Sequence, residues 1–508
     1  MTAPGSADAA SGGPPMTLKA AFARLSRHTL IYSATGQLSR VVSFALLYFF
    51  TYYLSPADYG LSDVLGHIIA VCSYVAGINM TTAMARYYFD QVDERQRRAV
   101  VSTTLWSVML GALVVGGVLA AGAPTLAGWL DPARPGMTTL VLITLCILVL
   151  QMLRETWLRY LQIQERSLFF GVISVGKVAL EVSCHVWFIG FLGLGLPGLF
   201  YGLLVGELVS ALLLTAVLLP RVGVAFSPAL FWPMFAFTLP LVPNGLLQFC
   251  LHSADRFLLL GLRGAEEVGV YSVAYKFGYI PNYLIITPFL MIWYPFVFGQ
   301  REPARQRDLI ERLSPYVMFT LSASVLAVAL LAEDLTHWMT GQAEYVPAWR
   351  AIAPICLGYW MWGAFQLAQT GFYVCKRTGV LPWITGIAAA LNLAANLVLI
   401  PCHGFLGAAW ATLFSFVVLL AVTLRAGRPV FPVTWPWARV LRPALAGAAV
   451  YALGTAFAPP PGWASASLKL ALLVGWTAWM WAGGFLGADE RRAVRDVLAG
   501  WRARARPG

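Results

Sequence analysis

Long apolar stretches recur along this chain, separated by short polar or charged breaks. A helix needs roughly 20 predominantly apolar residues to span a bilayer. On that criterion the pattern predicts fourteen spans, at about residues 30–53, 61–85, 99–121, 137–157, 169–191, 198–219, 235–260, 269–297, 315–332, 349–374, 379–401, 405–425, 439–458 and 466–486. Lys19, Arg24 and Arg27 ahead of the first run give it the look of a secretory signal. The run is too long for a signal core and no small-residue cleavage site follows, so it reads as a span. Most connections are short, the longest outer ones about 15 residues, and neighbouring helices should pair as hairpins. The predicted fold class is an all-α polytopic membrane protein.

Composition agrees with the pattern. Hydrophobic residues make up 59% of the 508 and charged residues 11%, with a mean hydropathy of +0.70; soluble domains carry roughly a quarter charged residues. The net charge of +12 does not point to nucleic acid. Of the 35 Lys and Arg, 27 fall on segments that this topology puts inside. Four fall outside (Arg134, Arg263, Arg350, Lys469) and four within spans (Arg40, Lys177, Arg256, Lys276). That bias predicts cytoplasmic termini. Residues 1–28 read as a disordered cytoplasmic N-terminus, rich at first in Gly, Ala, Ser and Pro. Residues 488–508 form a basic cytoplasmic tail, amphipathic enough to lie on anionic lipid. The seven cysteines are scattered through or beside apolar segments with no C-x-x-C pair, which argues against a disulfide framework or metal site.

The stretch Ala254-Asp255-Arg256-Phe257 running through Glu267-Val268-Gly269-Val270-Tyr271-Ser272 to Lys276 is echoed upstream by Leu54-Ser55-Pro56-Ala57-Asp58-Tyr59-Gly60-Leu61-Ser62. Gly269 then stands 209 residues after Gly60, and Phe405-Leu406-Gly407 repeats Leu196-Pro197-Gly198 at the same offset. Two matches at one offset predict an internal duplication. It gives two six-helix lobes around a central cavity, residues 29–220 and 221–428, with two further spans in 429–487. An even number of spans per lobe makes the repeats parallel, related by an axis along the membrane normal.

Ionisable groups inside a membrane cost several kcal/mol, so each is a functional candidate. Arg40 lies mid-span on a polar face with Ser33, Gln37 and Ser43; the alternative is a structural ion pair. Lys177 and Glu181 share a helix face four residues apart with Ser174 and His185, and can neutralise each other. Glu207 has no partner on its own span and is a candidate to neutralise Lys177 or Arg40. Asn244, Gln248, His252 and Asp255 form a stripe on a span that Pro240 and Pro243 should kink. Asp255 and Arg256 sit toward its outer end, where interface anchoring is the simpler reading. Lys276 shares a face with Tyr279 and Tyr283, and partial snorkelling competes with a cavity role. Asp63, His67 and Tyr74 align on the second span, which Arg86 ends as an inner-surface anchor. Gln366, Gln369, Tyr373, Asn392 and Asn396 supply uncharged polarity, more often interhelical glue than ligand contacts.

The candidate substrate-binding set is therefore Arg40, Lys177, Lys276, Arg256, Gln37, Asn244, Gln248 and Tyr279. Glu181, Glu207, Asp63, His67 and Asp255 are candidates for charge balance or ion coupling. Buried cations suit a phosphate or pyrophosphate, and aromatic rings suit sugars. The sequence holds no Gly-rich phosphate loop, H-E-x-x-H or nucleophile elbow, and no outer loop large enough for a catalytic domain. No catalytic residue, metal or cofactor is expected; H+ or Na+ coupling stays open.

Tyr53-Leu54-Ser55-Pro56-Ala57-Asp58-Tyr59-Gly60, Ala85-Arg86-Tyr87-Tyr88-Phe89 with Asp93-Glu94-Arg95, and above all Ala254-Asp255-Arg256-Phe257 with Glu267 to Lys276 carry a family resemblance. Over about residues 28–426 the chain resembles polysaccharide or O-antigen flippases of the multidrug/oligosaccharidyl-lipid/polysaccharide superfamily. The resemblance implies two six-helix lobes and alternating access in a bacterial inner membrane. It also implies a polyprenyl-diphosphate-linked oligosaccharide as cargo, destined for surface polysaccharide such as lipopolysaccharide or exopolysaccharide. Arg40, Lys177 and Lys276 match its cationic cavity residues by type and place. Membrane lipids, and polysaccharide polymerase or export machinery, are the implied partners. Three alternatives stand beside it. A multidrug exporter of the superfamily would carry an acid in the first span, which here holds Arg40 and no acid. A lipid II flippase for peptidoglycan also has fourteen spans and a cationic cavity. A membrane glycan polymerase would need the large outer loop that is absent.

Overall fold

The computed structural model of the chain describes Leu38, residues 41–483 and Phe485. The expectations for residues 1–28, for Gln37 and Arg40, and for the tail 488–508 lie outside the described residues. Among those described, every regular element is helical. The order begins with α1 (Val41–Tyr53) and α2 (Pro56–Gly77), where Pro56 takes the first helical position and the Ser55 hydroxyl accepts from the Asp58 backbone N–H at 3.2 Å. The predicted second span then breaks. Ile78 and Asn79 adopt φ of +43° and +53°, a strained conformation for a β-branched side chain, before α3 (Met80–Asp90). Asp93 caps α4 (Glu94–Ala121) by accepting from the Arg95 N–H.

A short helix, α5 (Ala123–Leu130), occupies what the sequence reads as an outer loop. There follow α6 (Met137–Ile163), α7 (Ser167–His185) continued by a π-helical turn at Val186–Phe191, and α8 (Gly195–Val222). Next, α9 (Pro228–Thr238) and α10 (Leu241–Arg263) are bent by 44° at Leu239-Pro240, where proline withdraws a backbone donor. The eighth predicted span is α11 (Ala265–Gly278), a π turn at Asn282–Ile286, and α12 (Thr287–Phe298). The chain closes with α13 (Pro303–Met339), α14 (Trp349–Ala368), α15 (Thr370–Val374), α16 (Leu381–His403), α17 (Phe405–Gly427), α18 (Trp437–Phe457) and α19 (Trp463–Ala482).

Eleven of the described helices are long and apolar enough to cross a membrane, or twelve with the bent α9–α10 pair as one span. The expected fourteen are therefore not all present by that measure. Only the short apolar helix α1 represents the first span among the described residues. The last, α19, carries Lys469 and several hydroxyl residues that dilute its apolarity.

The chain divides into two compact units. One holds residues 1–46, 72–127 and 133–241, and in it α4 packs on α6, α6 and α7 on α8, and α3 on α9. The other holds residues 47–71, 128–132 and 242–508, and in it α13 packs on α14, and α14 and α16 on α17. The third and fourth, fourth and sixth, and fifth and sixth spans of each predicted lobe are thus neighbours in the same order. Asn392 of α16 donates to the Ser415 hydroxyl of α17 at 2.9 Å, and Asn396 bonds back to Asn392. These amides hold helix to helix, as the sequence suggested. On α13, Leu326 and Leu330 pack with Trp476 and Met480 of α19, fixing the last two helices to the second unit.

Candidate functional site

Where α2 crosses α11, the two backbones meet. A Cβ on Gly60 would stand 2.1 Å from the Ala265 carbonyl oxygen, and one on Gly269 would stand 1.9 Å from that of Pro56. Only glycine permits this approach. One turn along, Asp63 of α2 accepts from the Ser272 hydroxyl at 2.7 Å and from Arg256 Nε at 2.9 Å. His67, one turn further, places Nδ1 3.7 Å from the same carboxylate and 2.7 Å from the Asp63 carbonyl oxygen.

Arg256 is the hub. Its Nη1 donates to Asp255 Oδ1 at 2.9 Å and to the His252 carbonyl at 3.0 Å, and its guanidinium lies 4.0 Å from the Tyr275 ring centroid. Asp255 also accepts from the Tyr271 hydroxyl at 2.6 Å and from Thr412 at 3.4 Å. Arg256 is 4% exposed and Asp255 3%. Interface anchoring, expected for both, is therefore wrong: the two carboxylates of Asp63 and Asp255 hold the guanidinium inside the bundle.

Lys276 follows Ser272 by one helical turn and is half-buried, its Nζ 5.4 Å from the Tyr59 ring centroid. An aromatic ladder runs beside it. The Tyr275 and Tyr359 hydroxyls are 2.6 Å apart, and Tyr279 lies 4.6 Å from Tyr359 and 4.3 Å from Tyr283 between ring centroids. The ladder ends at the π turn, and such turns recur at functional sites. Asn244 and Gln248 sit half-buried on α10, two and one turns before His252. His252 is packed edge-on to Trp362 at 4.6 Å. Gln366 and Gln369 bond each other, and Gln369 reaches the Tyr294 hydroxyl.

The other unit holds a second network. Glu207 of α8 accepts from Arg154 Nε of α6 at 2.6 Å and from Nη2 at 3.3 Å, and lies 3.2 Å from Lys177 Nζ of α7. Lys177 also pairs with Glu181 at 2.7 Å. Exposed Glu155 adds a third carboxylate 3.6 Å from Arg154 Nη2, so in this set two cations face three carboxylates, two of them mostly buried. Gly206 makes room for it, since a Cβ there would stand 2.4 Å from Glu181 Cγ. Arg154, counted among the inner-segment cations, is the residue missed. Its helix runs on to Ile163, six residues past the predicted end of the span, which draws Arg154 into the bundle. Arg86 lies on α3 past the Ile78-Asn79 break, its guanidinium 4.8 Å from the Phe237 ring centroid of α9.

A third pair was also missed. Lys469 of α19, taken as an outer-segment residue, is 2% exposed and donates to Asp334 of α13 at 2.6 Å. Asp334 accepts in addition from the Gly462 N–H at 3.0 Å and the Ser465 hydroxyl at 3.2 Å. Among the described residues no group of three or more His, Cys, Asp or Glu is placed to hold a metal ion.

A family model described as "polysaccharide biosynthesis protein" matches residues 51–348. No curated protein sequence matches this chain. Among solved structures, the chain is similar to the lipid II flippase MurJ in an inward closed conformation, with a TM-score of 0.73 and 13% identity over 89% of this chain and 99% of that one. An inward-facing multidrug resistance MATE family transporter of the MOP superfamily gives 0.61 and 14% identity over 80% and 97%. A MOP superfamily transporter from Pyrococcus furiosus gives 0.55 and 15% over 81% and 95%. At these identities the likeness establishes a shared all-helical fold.

Proposed function

We propose, for a chain that belongs to the polysaccharide biosynthesis protein family, that it is a flippase carrying a lipid-diphosphate-linked oligosaccharide across a bacterial inner membrane by alternating access. The carrying observation is the family match over residues 51–348, which takes in both charge networks and Lys276, on a fold shared with flippases. The cargo chemistry asks for cations beside aromatic rings. Lys276 with Tyr279 and Tyr283 supplies both, the ammonium for a phosphate and the rings for a sugar face. Arg40 and Gln37 on the first span are proposed to share the diphosphate, so that no single residue holds it too tightly for release. The charge bias supports cytoplasmic termini in this reading.

Arg256 and Lys177 enter this reading differently from the other cations. Each already faces two carboxylates, so their part is to brace helices rather than to meet cargo first. Asp63, His67, Asp255, Glu181 and Glu207 then act as charge balance. Asn244 and Gln248 remain proposed as uncharged contacts.

A second reading, lipid II transport, is favoured by the likeness to MurJ. One experiment separates the two. Deletion of the chromosomal copy should abolish a surface polysaccharide and leave its lipid-linked precursor on the cytoplasmic leaflet, while peptidoglycan synthesis continues. Lys276→Gln and Arg40→Ala, each at wild-type abundance, should restore export only in part, and Arg40→Lys more fully than Arg40→Ala. Normal surface glycan in the deletion strain, or rescue of a strain lacking its lipid II flippase, would overturn the oligosaccharide reading.

A further inference from the structure

At the start of α18 and the end of α19 the chain forms an open groove of about 540 Å³. Trp437, Leu441, Leu445 and Trp479 wall it with apolar surface, and among the described residues Arg442 is the one charged residue lining it. The volume falls within the roughly 300–1,000 Å³ typical of small-molecule sites. The groove lies on the outside of the hairpin. Val440, Pro443 and Gly447 of α18 are buried and α18 packs on α13, whereas Leu441, Arg442 and Leu445 on the other face are exposed. Arg442 does not reach toward α13 as Arg439 does, which donates to the Tyr316 hydroxyl and the Phe485 carbonyl. It stays at the groove, one Nη2 donating to the Gly483 carbonyl at 3.0 Å and its guanidinium 5.6 Å from the Trp479 ring centroid. That contact holds the guanidinium beside the indole.

We propose that this groove binds one anionic glycerophospholipid, with its phosphate on Arg442 and an acyl chain along Leu441, Leu445 and Trp479. Tryptophan at a helix end marks the headgroup level, and an arginine there with apolar walls beneath it matches the two halves of such a lipid. Charge complementarity extends beyond the groove. The sequence after Phe485 carries six arginines (Arg491, Arg492, Arg495, Arg502, Arg504, Arg506), a composition that favours anionic lipid. A zwitterionic lipid fits the walls but brings an ammonium toward Arg442.

The test uses the full chain in detergent, titrated with phosphatidylglycerol, phosphatidylethanolamine, a polyprenyl phosphate or inorganic phosphate, with bound lipid read by native mass spectrometry. Phosphatidylglycerol should be retained in preference to the other three. Arg442→Gln should lower its retention about tenfold, the effect of losing one charge-assisted hydrogen bond, and lower that of phosphatidylethanolamine, whose ammonium offsets its phosphate, by less. Arg442→Lys should keep most of the preference. Leu445→Trp, which fills the groove without touching a charge, should lower phosphatidylglycerol retention as well. Equal retention of phosphatidylethanolamine, or phosphatidylglycerol retention untouched by Arg442→Gln, overturns the proposal. Preferential retention of the polyprenyl phosphate also overturns it and assigns the groove to the cargo's lipid.

Discussion

Arg256→Met tests whether the α2–α10–α11 network braces the protein. The substitution keeps the side chain's length and removes its charge. It leaves Asp255, 3% exposed, with the Tyr271 and Thr412 hydroxyls as side-chain donors, and Asp63 with Ser272. Breaking a buried ion pair by removing one partner costs about 3–5 kcal/mol. Asp63 is 29% exposed, so water screens part of its charge and the lower end, roughly 3 kcal/mol, is expected. For a chain of 508 residues that is an apparent melting temperature about 3 °C lower, read by fluorescence-detected size exclusion after heating. Arg256→Lys should fall between, because an ammonium keeps the charge but lacks the fork that spans both carboxylates. Asp63→Asn added to Arg256→Met should recover part of the loss, since one orphaned charge is then gone. A melting temperature unchanged by Arg256→Met would refute the bracing argument. Lost transport at unchanged stability would move Arg256 to the cargo.

Gly269→Ala should cost about 1–3 kcal/mol by the same melting assay, because its Cβ meets the Pro56 carbonyl at 1.9 Å and the helices must part. Gly66→Ala, with nothing within 4 Å, should be near neutral; equal effects at the two sites would count against the crossing. Lys469→Met should cost about 3–5 kcal/mol and be largely rescued by Asp334→Asn, which keeps an acceptor for the Gly462 N–H. Losses that simply add in the double variant would show that the two groups do not interact.

Helical class and near-complete span placement were legible because lipid forces a backbone to satisfy itself, leaving long apolar runs in the sequence. The bend at Pro240 was legible for the same local reason: proline cannot donate. Partner choice was not. Arg154 looked like a loop cation because a charge at a span's end gives no sign of how far the helix continues. Asp334 and Lys469 lie 135 residues apart on α13 and α19, and no periodicity links them. The strained break at Ile78-Asn79 has only Gly77 and Asn79 as local hints, too common to mark a hinge. Lys177 and Glu181 were readable as a pair because four residues on one helix bring them together whatever the tertiary fold.

At the crossing of α2 and α11, positions 209 apart touch each other: Gly60 meets Gly269, and Asp63 bonds to Ser272. A residue meets its own counterpart only on a twofold axis. If the two halves share one origin, an ancestral pair of separate lobes placed residue 63 against its own copy. Glycine tolerates facing itself. Two aspartates at 2.7 Å would repel, and two serines would leave Arg256 short of a carboxylate. On that premise, joining the copies in one gene would release that position from having to complement itself and let the halves take opposite roles, acceptor and donor. A homodimeric single-lobe relative should therefore carry an uncharged residue here; finding paired acids at its axis would break this account.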